Sequence, residues 1–398
     1  MPPSAVRRHF ESMIHVFLNG LAASAGGGLT YLRNVVPHLA ARDDVHTSLA
    51  VSRCIRQEFG AYKRVSVVDT DIGGSAAGRF FKEQRCLPQL IRQAGADVLI
   101  SAGNFALRKS PVPQILLSRN SLYTSADYYR DLRARREYGL CLDTRFKGFL
   151  AKRSIHWAER TVAPSEAFAE ELRGWTRRPI LSIHHGFDRD AFFDHPEPLP
   201  RDVQQKLDGA VGDLKLLLVS HYNYYRNFET LFQAMPDLCH RLNGKVKLVL
   251  TCSLRSEANP GAYLAESAAA LVQRLGISQN VLELGTVPYH LLHHVYRACA
   301  IYVAPAYAES FAHPLVEAMA SGLPVIASDL DVHREICGSA ALYFSRFSSQ
   351  ELADQVFELA QFPEKRGQLS ELGGLRADDF GWNRHVAAIL ELARSLIQ

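Results

Sequence analysis

The run LKLLLVS (Leu214–Ser220) is apolar without the polar alternation of a strand that has one wet face. Such a strand must be covered on both sides, which requires helices on both faces of a mainly parallel sheet. The same constraint recurs in KVKLVLT (Lys245–Thr251), NVLELG (Asn280–Gly285), AIYVAP (Ala300–Pro305) and LPVIAS (Leu323–Ser328), with helix-length segments between them. An earlier series obeys the same rule. MIHVFL (Met13–Leu18) leads through a glycine loop to a helix expected from about Leu29 to Ala41. HTSLAVS, RVSVVD, ADVLISA (Ala96–Ala102) and PQILLS (Pro113–Ser118) follow, and RTVAPS comes after a helix through Ile155–Glu159. β-α alternation of this kind defines an α/β chain.

Between the two series lies DHPEPLP (Asp194–Pro200), polar and proline-rich, which suits a linker. At 398 residues the chain exceeds one ordinary core. Two Rossmann-like domains with a cleft between them are therefore expected, over residues 1–195 and 205–380. The last stretch, residues 380–398, reads as an amphipathic helix carrying Trp382 that packs back on the first domain. In such sheets ligands sit beyond the carboxyl ends of the strands.

Composition removes several classes. Hydrophobic residues make up 47% and charged residues 22%, ordinary values for a globular protein. No apolar run reaches the roughly 18–20 residues of a membrane span, and the N-terminal residues read as a short tail before a strand, not a signal peptide. The seven cysteines are scattered without paired spacing, against both a disulfide framework and a zinc site. A cytoplasmic setting fits them. The net charge of +4 implies no nucleic-acid partner. Between Arg130 and Arg153, however, eight basic residues face only three acidic ones. That stretch is either a solvated helix face or a surface that meets anionic lipid headgroups or a phosphorylated acceptor.

The segment PAYAESFAHPLVEAMASGLPV (Pro305–Val325) joins a buried strand to a short helix. Pro314 suits the first helical position, Gly322 the end, and Pro324 blocks continuation. The expected helix is Pro314–Ser321, with Glu317 in its first turn and Glu309 just ahead of it. The N–H groups of Ser310–His313 then lie where the helix dipole favours negative charge. Two carboxylates beside a row of amides can grip the vicinal hydroxyls of a sugar or ribose. The other reading stays open: Glu309 caps the helix and Glu317 responds to the dipole.

Glu309 and Glu317, with the downstream apolar strand, resemble the E-x7-E region of the retaining glycosyltransferases of family four, which have the GT-B fold. SAGGGLTYLRNVVPHLA, TVAPSEAFAEEL, HHGFDRDAF, VSHYNYYRNFETLFQAM and LGTVPYHLLHHVYRACAIYVAPAYAESF resemble further family segments in the expected order. The resemblance implies that Glu317 bonds the ribose of a nucleotide sugar and that Glu309 faces the transferred sugar, lined by Ser310, Phe311 and Ala312. It implies that Arg226 neutralises the donor diphosphate, that Gly285, Thr286 and Val287 hold the base, and that Gly27 and Gly28 let the first helix approach phosphates or acceptor. His313 falls inside the donor loop.

Three departures stand out. Ser220-His221 replaces the family's Gly-Arg, so an imidazole stands where a second cation is usual. Ser310 and Ala312 replace glycines and narrow the sugar site. Arg119-Asn120 lies near the place of a common histidine; Asn120 can orient a hydroxyl on the acceptor side but cannot act as a base. The implied reaction is transfer with retention from a nucleotide-diphosphate sugar to the hydroxyl of a sugar or lipid-linked saccharide, in glycan, polysaccharide or glycolipid biosynthesis. A nucleotide-sugar epimerase on the same fold, or a non-catalytic binding protein, are the alternatives. No cofactor is expected. The triplets Asp69-Thr70-Asp71, Asp188-Arg189-Asp190 and Asp329-Leu330-Asp331 do not sit in the architecture that uses D-x-D for a divalent metal, and the histidines match no zinc spacing. The enzyme would be cytoplasmic, peripheral on the inner membrane face through residues 130–153.

Overall fold

The computed structural model describes residues 13–398 apart from 24–25, 71, 73, 75, 211 and 259–262. Asp71, one half of the first acidic triplet, and the tail before Met13 lie outside the described residues.

The chain forms two parallel sheets. The first contains β1 (Ile14–Asn19), β2 (Val45–Ala50), β3 (Val65–Val67), β4 (Val98–Ser101), β5 (Gln114–Leu117), β6 (Arg160–Ala163) and β7 (Leu181–Ser182), in the order β3-β2-β1-β4-β5-β6-β7. The second contains β8 (Leu214–Leu218), β9 (Val246–Leu250), β10 (Val281–Glu283), β11 (Ile301–Ala304), β12 (Val325–Ser328) and β13 (Ala341–Phe344), in the order β10-β9-β8-β11-β12-β13. Both orders reverse beside their first strand, so each sheet has a switch point at the carboxyl ends of its central strands, where ligands bind in open α/β sheets. The central strands β4, β5, β11 and β12 are buried at every residue, as unbroken apolar runs require.

Several boundaries differ from the sequence reading. The first helix is Gly26–Ala40, so Gly27 and Gly28 form its opening turn instead of a loop before it. The helix expected at Pro314–Ser321 is His313–Ala320, and Glu317 lies in its second turn. β7 and β13 have little sequence signal, being two and four residues long.

The C-terminal helix Trp382–Ile397 returns to the first lobe. Trp382, Val386, Ile389 and Leu390 share a core with Leu32, Val35 and Val36 of the first helix. Gly186 permits this return, since a Cβ there would lie 2.2 Å from the Trp382 amide nitrogen.

The lobes are clasped. Glu335 accepts from the amides of Glu166 and Ala167, both at 2.7 Å. Arg135 pairs with Glu229 at 3.0 Å, and Tyr307 donates to Asp131 at 2.7 Å. Of the basic stretch, Arg135 is thereby committed to the second lobe, whereas Arg130, Arg133 and Arg136 stay exposed, as do Arg145 and Arg153 of the following helix, Tyr138–Trp157.

Candidate active site

A cavity of about 650 Å³ lies between the lobes at the carboxyl ends of both sheets. Its walls include Gly27, Gly28, Arg119, Asn120 and His185 from the first lobe. From the second they include His221, Arg226, Thr286, Val287, Glu317 and the loop Glu309–Pro314. The loops after the buried strands thus bring together residues that are separated by up to about 290 positions in sequence.

The loop after β11 carries the two glutamates. Ala312 takes the helix N-cap in the left-handed region, with φ 64° and ψ 64° and no side-chain capping bond. Glu309 is therefore not a cap. Pro314 supplies a fixed φ in the first turn, and the helix closes when Leu323 donates to the Ala318 carbonyl beyond Gly322 at φ 77°.

Glu309 and Arg226 form an ion pair with each other. Arg226 comes from a tight turn, Tyr224–Arg226, that follows β8. From the sequence, separate partners on the donor are expected for these residues; in the structure they neutralise one another, because two adjacent part-buried charges are costly unless paired. Arg226 Nε has no partner, so the guanidinium keeps a donor for an incoming anion.

Glu317 is 4% exposed and accepts from Tyr296 at 2.8 Å. Burial raises its carboxyl to about 7, against hydrogen bonds from Tyr296 and Tyr289 that favour the ionised form. Its second-turn position puts it beyond the helix N-terminus, so the dipole does not offset the desolvation.

His221 borders the cavity, and desolvation with the nearby Arg226 holds its imidazole below its ordinary value. It stays neutral near pH 7 and does not restore the missing cation. His313 clusters with His185 (ring centroids 5.1 Å apart) and Trp382 (6.0 Å), which also touch each other at 5.6 Å. Burial, then Arg119, lowers it to about 3. Thr286 and Val287 line the cavity, whereas Gly285 does not; its φ of 80° turns the chain so that they can.

Ser310 and Asn120, both expected on the sugar side, border the cavity with some of their groups already engaged. The Ser310 carbonyl is occupied by Ser165 Oγ at 2.7 Å, and Ser310 Oγ donates to the Arg119 carbonyl at 2.8 Å. Ser310 is thus a clasp between lobes, and only its amide is left for a ligand. Asn120 borders the cavity, but its Oδ1 accepts from the Leu122 amide at 3.0 Å and its side chain also hydrogen-bonds the Tyr123 hydroxyl. Among the described residues no group of three or more His, Cys, Asp or Glu side chains is placed to hold a metal. Sequence reasoning assigned no role to Arg119 or His185, which meet the cavity through long-range packing that local pattern does not encode.

The fold places the chain among two-lobed GT-B proteins. Sucrose-phosphate synthase from Thermosynechococcus elongatus superposes with a TM-score of 0.72 at 17% identity, over 96% of this chain and 99% of that one. HepE of Anabaena, solved with UDP-glucose, gives 0.71 at 19% identity, over 96% and 100%. The family model described as "Glycosyl transferases group 1" matches residues 201–374, and "Glycosyltransferase Family 4" matches residues 25–191. The chain belongs to this glycosyltransferase family, one model for each lobe. Among curated proteins, the D-inositol 3-phosphate glycosyltransferase of Frankia alni is 28% identical over 46% of this chain and 45% of its own length. That of Mycolicibacterium smegmatis is 25% identical over 58% and 52%. The chain thus spans about half the length of the curated relatives it matches.

Proposed function

We propose that the protein is a retaining glycosyltransferase that moves a sugar from a nucleoside-diphosphate sugar to an acceptor hydroxyl. The observation that carries this reading is the convergence of Arg226, Glu309 and Glu317 on one inter-lobe cavity. Cleavage of the anomeric carbon–oxygen bond leaves negative charge on the diphosphate and positive charge on the sugar ring. Arg226 is placed to stabilise the first. When phosphate takes over Arg226, Glu309 is released to face the sugar. Thr286 and Val287 receive the base and Glu317 the ribose hydroxyls. Transfer with retention follows if the acceptor attacks from the face the diphosphate leaves, the leaving phosphate taking the acceptor proton. No side chain needs to serve as nucleophile. The clasped lobes keep water out while the bond breaks.

The UDP-glucose of HepE and the glycosyltransferase relatives support this donor class. For the acceptor, we read a sugar or lipid-linked saccharide met at an anionic membrane surface in the cytoplasm, a setting that suits seven free cysteines. The helix Tyr138–Trp157 supports this. Tyr138, Leu142, Phe146 and Phe149 are 48–67% exposed, and at 100° per residue they fall within about 80° of one another. Exposed Arg136, Arg145 and Arg153 flank them. An apolar stripe rimmed by cations suits insertion into an anionic interface. Among the described residues no helix is long and apolar enough to cross a membrane.

Glu309→Gln tests the reading. Transfer should fall at least about 100-fold, a loss typical of removing one electrostatic contact to the reacting centre, while nucleoside-diphosphate affinity stays within a few-fold. Equal transfer by the variant would remove Glu309 from the reaction.

A further inference from the structure

The first lobe holds a cation that the reaction as described leaves unused. Arg119 follows β5, and its guanidinium lies 4.6 Å from the centre of the Tyr31 ring. One terminal nitrogen donates to the Ala102 carbonyl, and Nε has no partner. Among the described residues no carboxylate pairs with it. Of the cavity's glutamates, Glu309 is committed to Arg226 and Glu317 accepts from Tyr296. Desolvation lowers the guanidinium's basicity; only the Tyr31 phenol opposes that effect, and no carboxylate does. A desolvated cation without a counter-ion is costly, and Arg119 opens on the cavity.

Its surroundings are built for an anion. The same terminal nitrogen lies 3.9 Å from where a Cβ on Gly28 would stand. Gly27 and Gly28 open a 15-residue helix with no acidic residue in its first turn, so the positive end of its dipole is uncompensated. A side chain at Gly28 would meet the Ala23 Cα at 3.2 Å, a tight contact that a bare glycine avoids. His185 borders the same space. It is 6% exposed, neutral through burial, and its Nδ1 has no partner. Arg119 and the amides of the opening turn are donors, and with His185 they line the same cavity as Arg226 of the second lobe.

We propose that Arg119, with His185 and beside the glycine turn of the helix Gly26–Ala40 already expected to approach phosphates, forms a phosphate-binding position on the first lobe. It binds the donor's diphosphate from the side opposite Arg226. The leaving group is then held by one cation from each lobe, and Arg119 supplies the second charge that His221 does not. This rests on the donor reading above. The site selects for phosphoryl oxygens, and a phosphate on the acceptor has the same chemistry, so the test must separate the two sources.

The experiment measures binding by calorimetry on the full chain, with pyrophosphate as a base-independent donor probe. A second arm uses inorganic phosphate in the presence of saturating nucleoside diphosphate. Arg119→Gln should weaken pyrophosphate about tenfold to a hundredfold, the usual loss of a charge-assisted contact. Arg119→Lys should fall between. A loss confined to the second arm assigns the site to a phosphate on the acceptor. Unchanged binding in both arms overturns the proposal. Arg226→Gln is the control. If it weakens pyrophosphate and Arg119→Gln does not, the Arg119 site fails and the donor reading stands. If Arg226→Gln has no effect, the donor reading fails. Folding is checked by the melting temperature without ligand. Removing an unpaired cation should leave Tm unchanged or raise it, whereas a merely structural arginine would lower it.

Discussion

Glu317→Gln isolates a single buried carboxyl whose proton is coupled to folding. In the folded chain Glu317 ionises near 7, while its ordinary value is 4.5. The folded state therefore binds more protons than the unfolded state between these limits. Stability from this group is fully present below about pH 4.5 and is lost as pH rises through about 7. The complete loss is about 3 kcal/mol, at about 1.4 kcal/mol for each tenfold change. Between about pH 5 and about pH 8 it amounts to about 2.5 kcal/mol. Glutamine keeps the shape and an oxygen to accept from Tyr296, but does not ionise. The buried histidines His185, His313 and His385 have the opposite slope, and they are the same in both proteins, so they cancel in the difference. Urea unfolding followed by far-ultraviolet circular dichroism at the two pH values gives this difference directly. The second lobe's transition should shift in favour of glutamine by about 2.5 kcal/mol from low to high pH. Parallel pH profiles for the two proteins would refute a desolvated, titrating Glu317.

Three further outcomes follow from the geometry. Ala312→Gly should stabilise the chain by about 1 kcal/mol, because Ala312 sits at φ 64° where only glycine is unstrained; a lower Tm would contradict that. Leu142→Ser combined with Phe149→Ser should weaken sedimentation with phosphatidylglycerol vesicles at least about tenfold and leave transfer to a soluble acceptor unchanged, since each exposed apolar side chain can contribute about 1.5 kcal/mol or more on burial; undiminished binding would remove the helix Tyr138–Trp157 as the docking face. Ser165→Ala removes the hydrogen bond to the Ser310 carbonyl and should loosen the clasp, raising the donor's KM and increasing the hydrolysis of donor without acceptor; equal hydrolysis would show that this contact does not govern closure.

The two sheets were legible because their strands are buried on both faces. LKLLLVS and AIYVAP can be little else when helices flank them, and the linker at Asp194–Pro200 marks the division. The glutamate loop was legible because Pro314 and Gly322 bracket its helix. What stayed hidden depends on contacts across long separations. Nothing local says that Arg226 meets Glu309, 83 residues away, or that Ser310 is tied to Ser165, 145 residues away. Within the charge run from Arg130, nothing local marks Asp131 and Arg135 as serving the clasp with Tyr307 and Glu229. Arg119 looked like a substituted histidine position, and only its packing over Tyr31 with no carboxylate nearby gives it a task. Trp382 looked like plain core, yet its ring also stacks on His313 at the cavity.

A crystal structure of the protein with a nucleoside diphosphate is the most direct measurement. The diphosphate should lie within about 3 Å of the Arg226 guanidinium, with the Arg226–Glu309 pair opened and the ribose hydroxyls on Glu317. A nucleotide bound elsewhere, with Arg226 still on Glu309 and Glu317 still held by Tyr296 and Tyr289, would contradict the account.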